Sequence, residues 1–206
     1  TVCCIFLFQN AARTPFSLLA LIVFFLPFER IPTVVVSDFT VKINHILGII
    51  FLVFWLLDRA VRHRHTFVSN PCALPLLFLI GSLFLSLTHA ELLPRGIIFT
   101  VQILFTIFLS VATNDCIRKK EHIDTLERLI YASAWVVIIF ALWQFIGDFI
   151  GLPRSVTGLD VGFSKAVFGF PRVQAFSKEP LYLANYLFIT IGFLMGSFFS
   201  GEKVKA

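Results

Sequence analysis

Four cations within one short segment are the first feature of this sequence with chemical consequences. The stretch GLPRSVTGLDVGFSKAVFGFPRVQAFSKEP, residues 151–180, carries Arg154, Lys165, Arg172 and Lys178 against Asp160 and Glu179, a net charge of +2. Phe163, Phe168, Phe170 and Phe176 are interleaved with them. That mixture suits a segment at an interface, with apolar groups dipping toward lipid and cations facing head groups. Arginine presents a planar fork that can hold two phosphate oxygens at once. A cationic pocket of this kind suits a diphosphate. In phosphoryl or glycosyl transfer, such cations stabilise the charge that develops on the departing diphosphate. The same residues also fit a plainer role, in which loop cations simply meet water or lipid phosphates. Composition alone leaves both readings open.

The elements that would position these residues are helices in lipid. Of 206 residues, 58% are hydrophobic and 14% charged, and the mean hydropathy is +0.90. Soluble domains are about 45–50% apolar and about 25% charged. A core of this size cannot hide the excess, so lipid must solvate much of it. Runs near the 20 or so residues that a spanning helix needs fall at about 15–28, 41–57, 73–87, 96–112, 129–150 and 181–199. The expected fold is all-α, a polytopic transmembrane helix bundle of about six spans. Residues 1–206 would form a single transmembrane domain, with 151–180 as an external interfacial loop. Between the fourth and fifth runs, Ile117, Ile123, Leu126 and Leu129 fall near helical spacing. They predict a short amphipathic helix on the membrane surface over 114–129.

Loop cations set the orientation. Alternating sides places ten lysines and arginines on one face, including Arg59, Arg62, Arg64, Arg118, Lys119, Lys120 and Arg128, and seven on the other. The richer face is assigned to the cytoplasm, which puts both ends of the chain inside and the 151–180 loop outside. Short external loops are normally poor in Lys and Arg, so four cations kept in this one point to a use for them. The chain opens on Thr1 rather than Met and stops soon after an apolar run, so a piece of a longer protein is expected. The first run has no small-residue cleavage site of the kind that follows a signal peptide.

Other chemistry finds less support. Cys3, Cys4, Cys72 and Cys116 form neither a metal knuckle nor a CxxC pair, and read as small hydrophobic residues. No metal or cofactor is expected. The formal charge of +5 is spread through loops without an aromatic-interleaved basic patch, so nucleic acid is not an expected partner. P-loop, GxSxG and HExxH patterns do not occur, which removes the soluble-type ATPase and hydrolase readings. His45, one turn after Lys42, reads as an interfacial histidine, and Asp148 as a solvated residue at a helix end. Glu29 and Arg30, just after Pro27, mark a membrane boundary, with Arg30 a further candidate for the external phosphate site. His63, His65 and the run Arg118 to Lys120 read as contacts to anionic membrane lipids.

The stretch FPRVQAFSKEPLYLANYL, residues 170–187, resembles the motif of the O-antigen ligase and polymerase family. There an arginine is followed by an aromatic and then by an acidic residue and proline entering a transmembrane helix. The opening FFLPFERIPTVVVSDFTVKINHILGIIFLVFWLLDR, residues 24–59, is similar to the family's first two helices. In those, a proline ends the first helix and a short β-like stretch precedes the second. The resemblance implies transfer of a glycan from an undecaprenyl-diphosphate carrier to an acceptor hydroxyl, on another glycan or a lipid, at the outer face of the bacterial inner membrane. It implies a membrane glycosyltransferase in polysaccharide biosynthesis of the cell envelope. Arg172 matches the motif arginine expected to hold the diphosphate, and Glu179 with Pro180 the acidic-Pro step. Arg154, Lys165, Lys178 and Arg30 would bind substrate around them. Nothing matches the family's second large external loop, with its further arginine and, in ligases, a functional histidine. The chain would correspond to the amino-terminal half, which lacks part of the active site.

Two rival classes stay in view. A transporter or flippase fragment for an anionic or lipid-linked substrate needs polar residues along a midplane pathway. Gln102 and Gln144 are the main polar residues within the last four apolar runs. A non-catalytic membrane subunit is the third class.

Overall fold

The computed structural model describes residues 14–30, 33–36, 39–61, 73–163 and 169–199. Among them lie seven α-helices and one antiparallel hairpin. In chain order these are α1 (Thr14–Phe25), β1 (Thr33–Val36), β2 (Phe39–Lys42), α2 (Ile43–Val61), α3 (Ala73–Leu87), α4 (Leu93–Cys116), α5 (Lys120–Phe149), the single turn α6 (Arg154–Thr157) and α7 (Pro180–Phe199). A 3₁₀ turn, Val161–Phe163, lies between α6 and α7.

Four helices, α2, α4, α5 and α7, are long and apolar enough to cross a membrane. The expected first and third spans are shorter, with 12 residues in α1 and 15 in α3. At 1.5 Å per residue, α3 covers about 22 Å, less than a hydrocarbon core of about 30 Å. Proline sets the end of α1. Pro27 has no N–H to donate and disfavours helical geometry at Leu26. The Asn44 amide donates to the carbonyls of Phe25 and Leu26, at 3.2 and 3.3 Å, and the Phe28 N–H also donates to the Phe25 carbonyl at 3.0 Å.

The surface helix expected over 114–129 is resolved differently. Residues 114–116 close α4, Ile117 caps it in an extended conformation, and Lys120 opens an unbroken 30-residue helix. Lys, Glu, Leu and Arg are good helix formers, so the charged turns simply continue into the apolar ones.

The described residues fall into two compact units. One gathers residues 14–19 and 48–119. Within it, α2 approaches α4 closely at Gly48, where an added Cβ would lie 2.7 Å from the Phe105 ring. Phe51, Trp55 and Ala112 are buried there.

The second unit gathers the described residues of 20–47 and 120–199. Its core is Ala134 and Val137 of α5, Leu183 and Tyr186 of α7, and Ala175 of the intervening segment, with Phe140 and Phe176 packed against it. The Tyr186 hydroxyl pairs with Ser133 and donates to the Ile130 carbonyl at 3.1 Å. Such bonds between apolar helices replace water that lipid cannot supply. The hairpin pairs Thr33 opposite Lys42 and Val36 opposite Phe39. It occupies the place of the β-like stretch anticipated between the first two helices, and its run of Val and Thr favours extended backbone.

Candidate functional site

The site is assembled in the second unit, beginning with the segment after α5. Gly147 of α5 lets α6 approach so closely that a Cβ there would lie 2.6 Å from Thr157 Cγ2. The single turn α6 closes on Gly158, whose left-handed φ of 67° suits glycine. Its N–H returns to the Arg154 carbonyl at 2.7 Å. That turn leaves the Gly158 carbonyl available, and Arg30 Nη1 donates to it at 3.0 Å across 128 residues of sequence.

A fully buried glutamine secures the next part of the segment. Gln144 of α5 accepts through Oε1 from the backbone N–H groups of Gln174, at 3.3 Å, and Ala175, at 2.8 Å. Ala175 sits in the left-handed region at φ 48°, a conformation that costs an L-residue about 1–2 kcal/mol. Its buried methyl group and the Gln144 bond hold it there. Phe176 follows, stacked on Phe140 with centroids 4.4 Å apart and tilted against Phe28 at 4.9 Å. Gln174, Ala175 and Phe176 of this loop thus pack onto α5 and onto the residues that follow α1.

Gln174 itself is fully buried, and only one orientation of its side-chain amide satisfies its neighbours. The oxygen then accepts from Arg30 Nη1 at 3.2 Å and from the Asp160 N–H at 2.7 Å, and the nitrogen donates to the Lys178 carbonyl at 3.1 Å. The Arg30 backbone N–H donates to the Phe176 carbonyl at 3.0 Å. Arg30 is therefore held by three acceptors, and all three are neutral.

Its neighbour Glu29 does not pair with it. Glu29 Oε1 accepts from Lys42 Nζ at 2.5 Å and Oε2 from the Lys178 N–H at 3.3 Å. One carboxylate thus joins the end of β2 to the turn that leads into α7. Lys42 Nζ also stands 5.2 Å from the centroid of the Tyr182 ring. The Lys42 backbone N–H donates to His45 Nδ1 at 3.2 Å, so that histidine caps the start of α2.

The anticipated residues are distributed around this framework. Arg172 is exposed. Its backbone N–H donates to the Phe163 carbonyl at 2.8 Å, while its guanidinium meets no acceptor among the described residues. Glu179 is exposed at the head of α7, where its carbonyl accepts from the N–H groups of Tyr182 and Leu183. Lys178 is exposed, and Arg154 is exposed at the start of α6. Lys165 lies outside the described residues. Glu29, Gln174 and Gly158 were not anticipated as parts of the site. The detectable signal was Gln174 itself, an uncharged polar residue set among Phe, Pro and Val between two cations.

No protein-family model, curated protein or solved structure matches this chain.

The first unit has a polar centre of a different kind. Asp115, only 6% exposed at the end of α4, accepts from Trp55 Nε1 at 3.0 Å and Arg59 Nε at 3.2 Å through Oδ2. Its Oδ1 accepts from Arg118 Nη2 at 2.5 Å. Arg118 Nε closes the cluster on the Asp115 carbonyl at 2.8 Å, and the Arg59 guanidinium lies 5.1 Å from the Trp55 ring centroid. Both carboxylate oxygens are occupied, so this centre ties helix ends together.

Chemically, Arg30 and Arg172 are of a kind that can bind an anion, and the exposed carboxylates of Asp160 and Glu179 are of a kind that can accept a proton.

Proposed function

We propose that this chain is part of a membrane glycosyltransferase of the O-antigen ligase and polymerase type, with six spans, in the bacterial inner membrane. The donor is a glycan on undecaprenyl diphosphate, presented at the outer face. The acceptor is a hydroxyl of a second glycan or of a lipid. The observation that carries the reading is the folded state of the cationic segment, which packs on α5 and brings Arg30 to the motif containing Arg172 and Glu179.

In the transfer, the acceptor oxygen bonds to the anomeric carbon as the bond from that carbon to the diphosphate oxygen breaks. The acceptor proton passes to a carboxylate, for which the exposed Glu179 of the motif is the candidate. The negative charge gathers on the departing diphosphate. Arg172 and Arg30 stabilise it by charge-assisted hydrogen bonds, with Arg154, Lys165 and Lys178 supplying further positive potential.

The test is complementation. The full-length gene is placed in a cell without its own surface-polysaccharide ligase or polymerase, beside Arg172→Ala and Arg172→Lys variants of equal membrane abundance. Transfer by the parent and its loss in both variants is the expected result, read from lipid-linked and surface polysaccharide profiles. Full transfer by Arg172→Ala removes that arginine from the mechanism. No transfer by the parent from any compatible donor turns the reading toward transport of a lipid-linked substrate.

A further inference from the structure

Arg30 is an unusual cation within its own surroundings. It is half-buried, it is held by the carbonyls of Gly158 and Phe176 and by the Gln174 amide oxygen, and it has no carboxylate partner among the described residues. The nearest acidic side chain in sequence, Glu29, is committed to Lys42 and to the Lys178 N–H. A cation partly withdrawn from water gains from an anionic partner. The geometry shows which part of the guanidinium is open to one. Both hydrogen bonds of its side chain fall on Nη1, while Nε and Nη2 meet no acceptor among the described residues. Those two nitrogens form one edge of the fork, the edge that matches a pair of phosphate oxygens.

We propose that Gln174 is the positioning residue of a phosphate site, fixing Nη1 of Arg30 so that its Nε–Nη2 edge is presented to paired phosphate oxygens. Gln174 suits this task because it is neutral. A carboxylate at the same place would itself satisfy the arginine and remove its demand for an anion. It is also fixed, since it is fully buried and its amide is bound on both atoms. The proposal rests on the reading of this face as a diphosphate site and adds the residue that orders its arginine. Paired phosphate oxygens occur both in a prenyl diphosphate and in anionic lipid head groups, and the site is assigned to their shared chemistry.

The experiment titrates the purified full chain, in a neutral detergent, with geranyl diphosphate by calorimetry. Arg30→Ala, Gln174→Leu, the isosteric Gln174→Glu and the double variant Arg30→Ala/Gln174→Leu are compared, each after a single elution peak and a cooperative thermal transition show that it is folded at the titration temperature. Each single variant is expected to bind about tenfold more weakly, the scale of one hydrogen bond to a charged group. The double variant is expected to bind no more weakly than Arg30→Ala, because Gln174 acts through that arginine. A protein merely loosened by loss of Gln174 would show the two losses adding. Additive losses, parent-like affinity in both folded Gln174 variants, or no binding by the parent overturns the proposal. Nanodiscs of phosphatidylglycerol against phosphatidylcholine identify the source. Competition by the anionic lipid alone assigns the site to head groups, and its absence assigns it to the diphosphate. Arg30- and Gln174-dependent binding without glycan transfer in the complementation test keeps this site and discards the proposed function. Transfer by the parent with unaltered binding by the variants does the reverse.

Discussion

Asp115 is a buried charge and Arg30 a partly buried one, and their surroundings treat them in opposite ways. Asp115 receives two arginines and an indole N–H, so its charge is more than answered and both oxygens are filled. Among the described residues Arg30 meets only neutral oxygens, which fix its position without cancelling its charge. The difference separates two uses of an ion in an apolar protein. A compensated charge joins segments, whereas a charge that is oriented but uncompensated is available to a ligand.

The strongest way to break the comparison is to remove each charge in turn. Asp115→Asn leaves Arg59 and Arg118 without their shared anion, and Arg59 has only 14% of its side chain exposed. Disrupting a buried pair typically costs about 3–5 kcal/mol. Because the Arg118 side chain is 47% exposed, the lower end, about 3 kcal/mol, is expected, read as a fall in the thermal midpoint in detergent. Arg30→Ala should move the midpoint far less, by the equivalent of about 1 kcal/mol. Equal losses of stability at the two positions would remove the distinction.

Next in size is the support beneath Arg30. Gln144→Leu strips the acceptor from the N–H groups of Gln174 and Ala175. It also removes the Gln144 Nε2 group, which is buried without a hydrogen-bond partner among the described residues. The gain partly offsets the loss, leaving a net cost of about 2 kcal/mol. Hydrogen exchange at those two amides should accelerate. Exchange at parent rates would show that the turn is held by packing alone.

Gly147→Ala sharpens the comparison by testing how α6 delivers its carbonyl. The new methyl would collide with Thr157, at a cost of about 1–2 kcal/mol. Adding Thr157→Ala should restore most of the lost thermal midpoint. Failure of that rescue would mean that the close approach does not set the packing.

The smallest effect concerns a third arrangement. Glu127 accepts from the Tyr131 hydroxyl at 2.6 Å and from the Ser197 hydroxyl, so here a carboxylate meets neutral donors. Tyr131→Phe should cost about 0.6 kcal/mol, the usual scale of such bonds in membranes. A loss several times larger in thermal melts would place this carboxylate with Asp115 as a structural centre.

The helices were legible wherever apolar residues run long enough to bury their own backbone in lipid. Their limits were less so. The charged turns 120–128 look like a separate surface piece in sequence, yet no residue there interrupts helical hydrogen bonding. The real break lies at Ile117. The cations of the site were legible as charges in an aromatic segment. Their ordering was not, because it depends on Arg30 meeting Gly158 and on Glu29 meeting Lys178, pairs separated by 128 and 149 residues. Local sequence marked Glu29 and Arg30 as a boundary pair. The fold sends the two side chains to different partners.

The length of α5 has a mechanical consequence. Its last 21 residues, 129–149, cover about 32 Å at helical rise, close to the hydrocarbon thickness of about 30 Å. The nine residues before them, with Lys120, Glu121, Asp124, Glu127 and Arg128, extend the same axis by about 14 Å. No break separates the two lengths. One unbroken helical axis therefore joins the charged stalk to Gln144 and the turn it grips.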